Sequence, residues 1–314
     1  MLRLNVPSGL LTALQLRLVA KIASEQGSAF CDLTGRQTLQ LYGIPDPQRE
    51  AVLQSLESAG LRAATEVLAV PSEVRDLIGV YEQEQPDLFF IGIPILAGRI
   101  DAAQMKKAAD IAERYADGAV VLTPGQNLLL RGVGKDRVAQ VMEGLESVGL
   151  KVKASGIARS IRPCPAGGED PQVVQKVLGI VEYLDRRVLL DEPIRIYLGS
   201  CAEDCPDCAA AQIRLRECRM ELNGQMIEAY DLSVGGHRIG LMLPAAQAPR
   251  RLEQLLIAYK RLRKSDEMFS GFCGRIGDAA VVELLSDRDL EIRSGAASAS
   301  RSRQTEDVPA QPRP

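Results

Sequence analysis

Three cysteines fall within eight residues, Cys201, Cys205 and Cys208, in the spacing C-x3-C-x2-C. Thiolates are soft ligands, and a set this dense suits an iron–sulfur cluster or a zinc ion better than a polar loop of idle thiols. The other four cysteines are Cys31, Cys164, Cys218 and Cys273. An odd total argues against a disulfide framework. Cys31, Cys218 and Cys273 lie in apolar settings, where a free thiol behaves as a small hydrophobe. There is one histidine, His237, and no tryptophan, so a multi-histidine metal site is excluded.

The chain of 314 residues is 46% hydrophobic and 25% charged, with a net charge of −3. That is ordinary for a globular protein and speaks against a nucleic-acid or membrane-surface partner. No apolar run approaches the roughly 20 residues of a membrane helix. The opening MLRLNVPSG lacks the basic, apolar and small-residue regions of a signal peptide, so the expected compartment is the cytoplasm.

The elements that must position the thiols begin with an internal repeat. A shift of 89 residues without a gap places Gln15 on Gln104, Leu33–Thr34 on Leu122–Thr123, Gln37 on Gln126, Gly43 on Gly132 and Gly60 on Gly149. A repeat this long is a duplicated subdomain. Each copy reads as a strand (Leu2–Val6; Leu88–Ile93), a helix (Leu14–Gln26; Ala103–Ala116), a strand, a turn, a strand (Thr38–Tyr42; Asn127–Arg131) and a second helix. Thr12 with Gln15, and Asp101 with Gln104, predict capping boxes at the first helices. The order β-α-β-β-α is that of a ferredoxin-like unit, and two such units could pair as pseudo-twofold halves.

The remainder reads as an α/β region. A helix is expected over Asp170–Val188, and a strand over Ile194–Leu198 that runs into the cysteines. Strands Ile213–Glu221 and Met226–Asp231 flank a hairpin turn at Asn223–Gly224, and Arg238–Met242 reads as a further strand. Helices are expected near Arg250–Arg263 and Met268–Leu285. The resulting boundaries are 1–72 and 73–150 for the two repeats, 151–290 for the α/β domain and 291–314 for a disordered tail rich in Ser, Ala, Gln and Pro.

The first 44 residues, through TGRQTLQLYGI, resemble the opening repeat of the nitrite/sulfite reductases, and IGIPILAGRIDAAQ through TPGQNLLLRGV resembles the opening of that family's second half. ARSIRPCPAGGEDP, IYLGSCAEDC, YDLSVGGHRIGLMLP and MFSGFCGRIG follow in the family's order. The resemblance implies an α+β chain of tandem ferredoxin-like repeats followed by one α/β domain for sirohaem and a [4Fe–4S] cluster. It further implies six-electron reduction of nitrite or sulfite, a small oxyanion, with electrons from ferredoxin or a similar carrier. Arg3, Arg159 and Arg195 match the family's catalytic cations. Arg36, Gln37, Gln40, Asn127, Arg162 and His237 match positions at the macrocycle. Arginine suits both tasks, because its planar fork grips carboxylates and oxyanions and stays charged.

For the metal, Cys164 matches the family's first cluster cysteine and Cys201–Cys205 its C-x3-C pair. The family's remaining cysteine falls on Asp170, and Cys208 would supply the fourth thiolate. Four thiolates could equally close a zinc site. Two further departures stand out. The family's paired lysines before C-x3-C correspond to Arg195 and Pro193, and full-length relatives carry two α/β domains where this chain has one. A homodimer or a partner subunit would complete the second. These departures keep an alternative open: a repurposed relative acting as an electron-transfer subunit, a tetrapyrrole-binding protein or a precorrin-modifying enzyme.

Overall fold

The computed structural model describes residues 1–35, 37–64, 77–164, 170–191, 194–202, 205, 208 and 211–286. Arg36 and the tail from 291 lie outside them.

The first repeat contains β1 (Leu2–Asn5), β2 (Leu10–Thr12), α1 (Ala13–Gln26), β3 (Phe30–Leu33), β4 (Thr38–Leu41), α2 (Asp46–Ser58) and β5 (Arg62–Ala63). The second contains β6 (Gly79–Glu82), β7 (Leu88–Ile93), β8 (Arg99–Asp101), α3 (Ala102–Tyr115), β9 (Ala119–Leu122), β10 (Leu128–Gly134) and α4 (Val138–Glu146). Both predicted capping boxes form: the Thr12 hydroxyl accepts from the Gln15 amide and the Asp101 carboxylate from the Gln104 amide, while each glutamine accepts in return from the cap's own amide. Two orphan donors per helix end are thereby satisfied.

The ferredoxin-like reading needs one extension. Each copy has a three-residue strand just before its first helix, and that strand leaves its own sheet. β8 pairs with β3 of the first repeat, and β2 pairs with β9 of the second. The two sheets therefore run β5-β1-β4-β3-β8 and β2-β9-β10-β7-β6. The exchange is symmetric under the 89-residue shift: Leu10 faces Val121 as Arg99 faces Asp32. One apolar core, from Leu2 to Val152, runs through both copies.

Backbone conformation repeats with the same period. Positive φ occurs at Ser8 and Ala97, Gly9 and Gly98, Gln37 and Gln126, and Gly43 and Gly132. Gly9 and Gly98 make the turns that launch the exchanged strands. A Cβ at Gly9 would lie 2.4 Å from the Leu122 carbonyl oxygen, and one at Gly98 2.6 Å from that of Leu33. Only glycine meets both demands. Gly9→Ala or Gly98→Ala should cost roughly 2–4 kcal/mol, from left-handed strain plus a backbone clash. Gly118→Ala, with a φ of 83° but nothing within 4 Å of the added methyl, should cost only about 1–2 kcal/mol. Denaturant midpoints of the three variants check the difference.

The third region contains α5 (Gly156–Ser160), β11 (Ile161–Pro163), α6 (Pro171–Asp185), β12 (Ile196–Gly199), β13 (Ile213–Leu222), β14 (Gln225–Val234), β15 (His237–Pro244), α7 (Ala248–Leu262), α8 (Phe269–Ile276) and α9 (Asp278–Leu285). β11, β12 and β13 are parallel neighbours, and β13-β14-β15 continue antiparallel. Asn223 and Gly224 both have positive φ, as a type I′ hairpin requires. The helix expected over Met268–Leu285 is two helices, because Gly277 at φ 79° ends α8 and opens α9. One face of the sheet, including Ile161, Ile196, Leu198, Ile213, Leu215 and Leu232, is buried in a second apolar core with α6 to α9. The other face carries the polar residues considered next.

Candidate metal centre and cationic cavity

The parallel pairing of β11 with β12 explains how two distant cysteines meet. Each strand ends where its cysteine follows, Cys164 after Pro163 and Cys201 two residues after Gly199. The Cys164 amide donates to the Leu198 carbonyl at 2.8 Å, extending the ladder one step. The carboxyl ends of parallel strands are where open α/β sheets gather ligands. The Cys205 amide donates to the Ala202 carbonyl, that of Cys208 to Cys205 and that of Ala211 to Cys208. Cys205 and Cys208 lie beside the first pair.

The four Sγ atoms lie within 4.8 Å of one another. Cys208 stands 3.1 Å from Cys164 and 3.5 Å from Cys201, and Cys164 stands 3.8 Å from Cys205. Cys164, Cys205 and Cys208 are buried and Cys201 half-buried, with Tyr197 packed against them. Arg214 donates to the Cys201 sulfur at 3.3 Å and also to the Ala202 carbonyl. Hydrogen bonds from Cys164 and Cys208, with the charge of Arg214, draw the Cys201 thiol well below its ordinary range, while the same contacts push Cys208 up. A buried set of four thiols with one adjoining guanidinium is a donor set for a cluster or a tetrahedral ion. Asp170 caps α6 by accepting from the Gln172 amide at 2.8 Å.

The three cysteines that the spacing left without a role remain apart from this set. Burial raises the Cys31 thiol, raises Cys273 to about 12 and raises Cys218.

Beside Cys205 and Cys208 opens a cavity of about 320 Å³, lined also by Arg214, Arg216, Asp231, Ser233, His237 and Arg238. The register shows its construction. Arg162, Tyr197, Arg214, Ser233 and Arg238 are successive partners across β11 to β15, so they share one face. Arg216 and Asp231 form the next rung. The Asp231 carboxylate accepts from Arg216 Nη2 at 2.5 Å and from Arg238 Nε at 3.0 Å. Burial raises the Asp231 carboxyl, but the two arginines outweigh it and hold it below the usual carboxylate range. Sequence reasoning missed Arg214, Arg216 and Arg238. For Arg214 and Arg216 the signal was present in I-R-L-R at 213–216, which begins five residues after Cys208 and alternates apolar and cationic residues at strand period.

The other residues singled out earlier fall in several places. His237 lines the cavity and its Nε2 meets Asp278 at 2.7 Å. Arg162 stands on the same sheet face and donates to the Gly125 carbonyl, joining the sheet to the second repeat's Gln126–Asn127 turn. Arg195 is exposed, just before β12, at the strand end opposite Cys201. Arg159 closes the short helix α5. Arg3 on β1 belongs to a row Arg3, Gln40, Asp32, Arg99 across the first sheet.

Gln37, Gln40 and Asn127 each make hydrogen bonds within the repeats. The Gln37 amide donates to Leu122 O at 2.7 Å, Gln40 Oε1 accepts from the Tyr42 hydroxyl at 2.8 Å, and Asn127 Oδ1 accepts from the Ile95 amide at 2.8 Å. Gln40 and Asn127 are buried. Buried amides are held by such bonds because leaving them unpaired costs about 1–3 kcal/mol each.

Residues 1–59 and 81–148 match the model of the nitrite/sulfite reductase ferredoxin-like half domain. The chloroplastic ferredoxin–nitrite reductase of Zea mays is 29% identical over 175 residues, 54% of this chain and 31% of that protein. An assimilatory ferredoxin-dependent nitrite reductase of Haloferax mediterranei is 24% identical over 257 residues, 72% of this chain and 41% of that protein. A ferredoxin sulfite reductase of Mycolicibacterium paratuberculosis is 28% identical over 172 residues, 51% of this chain and 31% of that protein. The chain thus spans 31% to 41% of the length of these relatives. The solved structure of the Mycobacterium tuberculosis NirA protein aligns with a TM-score of 0.75 over 90% of this chain and 84% of that one, at 15% identity, which shows a common fold.

Proposed function

We propose that the chain, whose two half domains match the nitrite/sulfite reductase ferredoxin-like half domain, is a member of that superfamily and an oxidoreductase acting on nitrite or sulfite. In this reading it holds a [4Fe–4S] cluster and sirohaem and takes its electrons from ferredoxin or a similar small carrier. The observation that carries the proposal is the convergence of Cys164, Cys201, Cys205 and Cys208 at the ends of adjacent parallel strands. Cluster and macrocycle, when bound, supply the six-electron redox chemistry.

The chain's own residues have separable tasks. The four cysteines hold the cluster, and Arg214 balances part of the thiolate charge. Arg3 and Arg36 supply cationic contacts to substrate or macrocycle from the first repeat. Arg162, beside Tyr197 on the sheet face, joins that environment to the second repeat. Arg159 and Arg195 complete the proposed set of cations, and Gln37, Gln40, Asn127 and His237 the proposed set of cofactor contacts. The seven cysteines, none of them in a disulfide, suit the reducing cytoplasm. Among the described residues no helix is long and apolar enough to cross a membrane.

One observation favours a second reading, a single zinc ion. A tetrahedral ion with bonds of about 2.3 Å separates its sulfurs by about 3.8 Å, close to the Sγ distances of 3.1 to 3.8 Å quoted above. A cubane spreads its thiolates further, since each binds a different iron. A visible spectrum of protein purified without air tests the redox proposal. Isobacteriochlorin bands are expected, and a colourless protein that reduces neither nitrite nor sulfite with a chemical donor would overturn it.

A further inference from the structure

We propose that the groove between α1 and α3 binds a small organic anion, a carboxylate, sulfonate or phosphate carried on an apolar body. The site lies within the two repeats, apart from the four cysteines, and does not rest on the reductase reading.

α1 and α3 are equivalent helices of the duplication and pack against each other. A cavity of about 770 Å³ opens between the later turns of α1 and the start of α3. The 89-residue shift relates it to a second place on the same helix pair, where Arg17 falls on Lys106, Asp110 on Lys21 and Glu113 on Ser24. At that second place Arg17 Nε donates to Asp110 at 2.8 Å and Nη2 donates to Glu113, so an ion-pair clamp ties α1 to α3. In the cavity the cation of the clamp is kept, as Lys106, while both carboxylates are gone. Lys21 and Ser24 stand in their place and line the same cavity. The clamp therefore cannot form there.

The remaining charges do not repair it. Arg17 also lines the cavity but is held by Asp110 and Glu113, and Asp101 is held as the cap of α3. That leaves Lys21 and Lys106 against Glu25. Among the described residues neither lysine is in an ion pair. Two ammonium groups sharing one concavity repel each other, and an anion placed between them relieves that repulsion. Lysine is a point charge with three rotatable donors, so carboxylate, sulfonate and phosphate all suit it.

The rest of the lining selects for an apolar body. Ala20, Ala102 and Ala103 line the cavity, and Ala103 stands where the copy has the larger Leu14. The methylene stems of the two lysines add apolar surface beneath their charges. About 770 Å³ falls within the range of small-molecule sites and far exceeds what a bare inorganic anion fills.

The test is calorimetric titration of full-length protein carrying its metal, at low ionic strength, with anilinonaphthalene sulfonate, an aromatic body bearing a single anionic group. The dye should bind a saturable site. Lys21→Asp with Ser24→Glu rebuilds the clamp of the copy and should weaken binding at least about tenfold, which corresponds to roughly 1.4 kcal/mol, without lowering the denaturation midpoint. Lys21→Gln with Lys106→Gln, which introduces no new charge, should weaken it to a similar degree. Lys107→Gln, half-buried on the same helix but outside the cavity, should leave it unchanged. The uncharged analogue phenylnaphthylamine should bind less tightly than the dye and equally well to wild type and the lysine variants. Inorganic sulfate should bind more weakly than the dye.

Equal affinity of wild type and the Lys21→Gln, Lys106→Gln protein for the dye overturns the proposal, as does equal affinity of wild type for the dye and its uncharged analogue. Sulfate bound as tightly as the dye overturns the assignment to an organic anion. Dye binding that depends on Lys21 and Lys106 in a protein that reduces neither nitrite nor sulfite would sustain this inference while the proposed reductase activity failed.

Discussion

Cys208→Ser should empty the proposed metal centre. Cys208 sits between two other thiols, at 3.1 Å from Cys164 and 3.5 Å from Cys201, and is itself buried. A serine there offers a hard oxygen that ionises far less readily than a thiol, so a soft metal loses one of four ligands. The three remaining thiols become buried groups without a common ion. Because binding free energy at such a site is folding free energy, of order 10 kcal/mol for a closed four-ligand site, the loss extends to stability. Protein reconstituted without air should retain less than about a tenth of the wild-type metal, an expectation set by the ligand's share of that energy, and should melt well below wild type. Cys31→Ser is the control. Cys31 is also buried, but beside Asp32 on β3 and away from the centre. It should keep full metal content and lose only about 1–3 kcal/mol for the buried hydroxyl. Metal analysis of the two variants separates a ligand from a core thiol; full metal in Cys208→Ser removes it from the set.

Asp32→Ala should be among the most destabilising substitutions in the repeats. Asp32 and Arg99 form a bidentate pair, Nε to Oδ1 at 2.7 Å and Nη2 to Oδ2 at 2.8 Å, with side-chain exposures of 6% and 10%. The same guanidinium lies 3.9 Å from the centroid of the Phe30 ring and reaches the Pro171 carbonyl at 3.5 Å. The pair therefore fastens the exchanged strand β8 to β3 and touches the start of α6. Removing the carboxylate strands a cation in a nearly dry site, which costs about 3–5 kcal/mol. Arg99→Met alone leaves the carboxylate stranded and costs a comparable amount. The double variant loses both charges together, so its cost should fall below the sum by about 1–3 kcal/mol. Denaturant unfolding of the four proteins gives the coupling directly, and additive costs would mean that the pair does not hold the exchange.

Much of the frame was written in local signals. Thr12 with Gln15 and Asp101 with Gln104 marked helix starts because capping is a contact between residues three apart. The 89-residue shift held down to backbone conformation, since Gln37 and Gln126 share positive φ in equivalent turns. The strand exchange was not legible, because a three-residue strand has no period of its own and its partner is chosen by tertiary packing. Gly277 was read through as helix, although its positive φ breaks the run into α8 and α9.

The site divided along the same line. Cys201, Cys205 and Cys208 announced themselves by spacing, whereas Cys164 joins them only because β11 lies beside β12. The amides of Gln40 and Asn127 make hydrogen bonds to the Tyr42 hydroxyl and the Ile95 amide, contacts that a motif match does not reveal. Arg214 and Arg216 were visible as an alternating pair, but their value depends on Ser233, Asp231 and Arg238 arriving from strands that follow.

The proposed redox function requires the four thiolates to hold an iron–sulfur cluster. Iron, acid-labile sulfide and zinc, measured per chain in protein isolated without air, address that directly. Expected are about four acid-labile sulfides per chain and about five irons, four in the cubane and one in sirohaem, with zinc absent. One zinc per chain without iron or sulfide would contradict it.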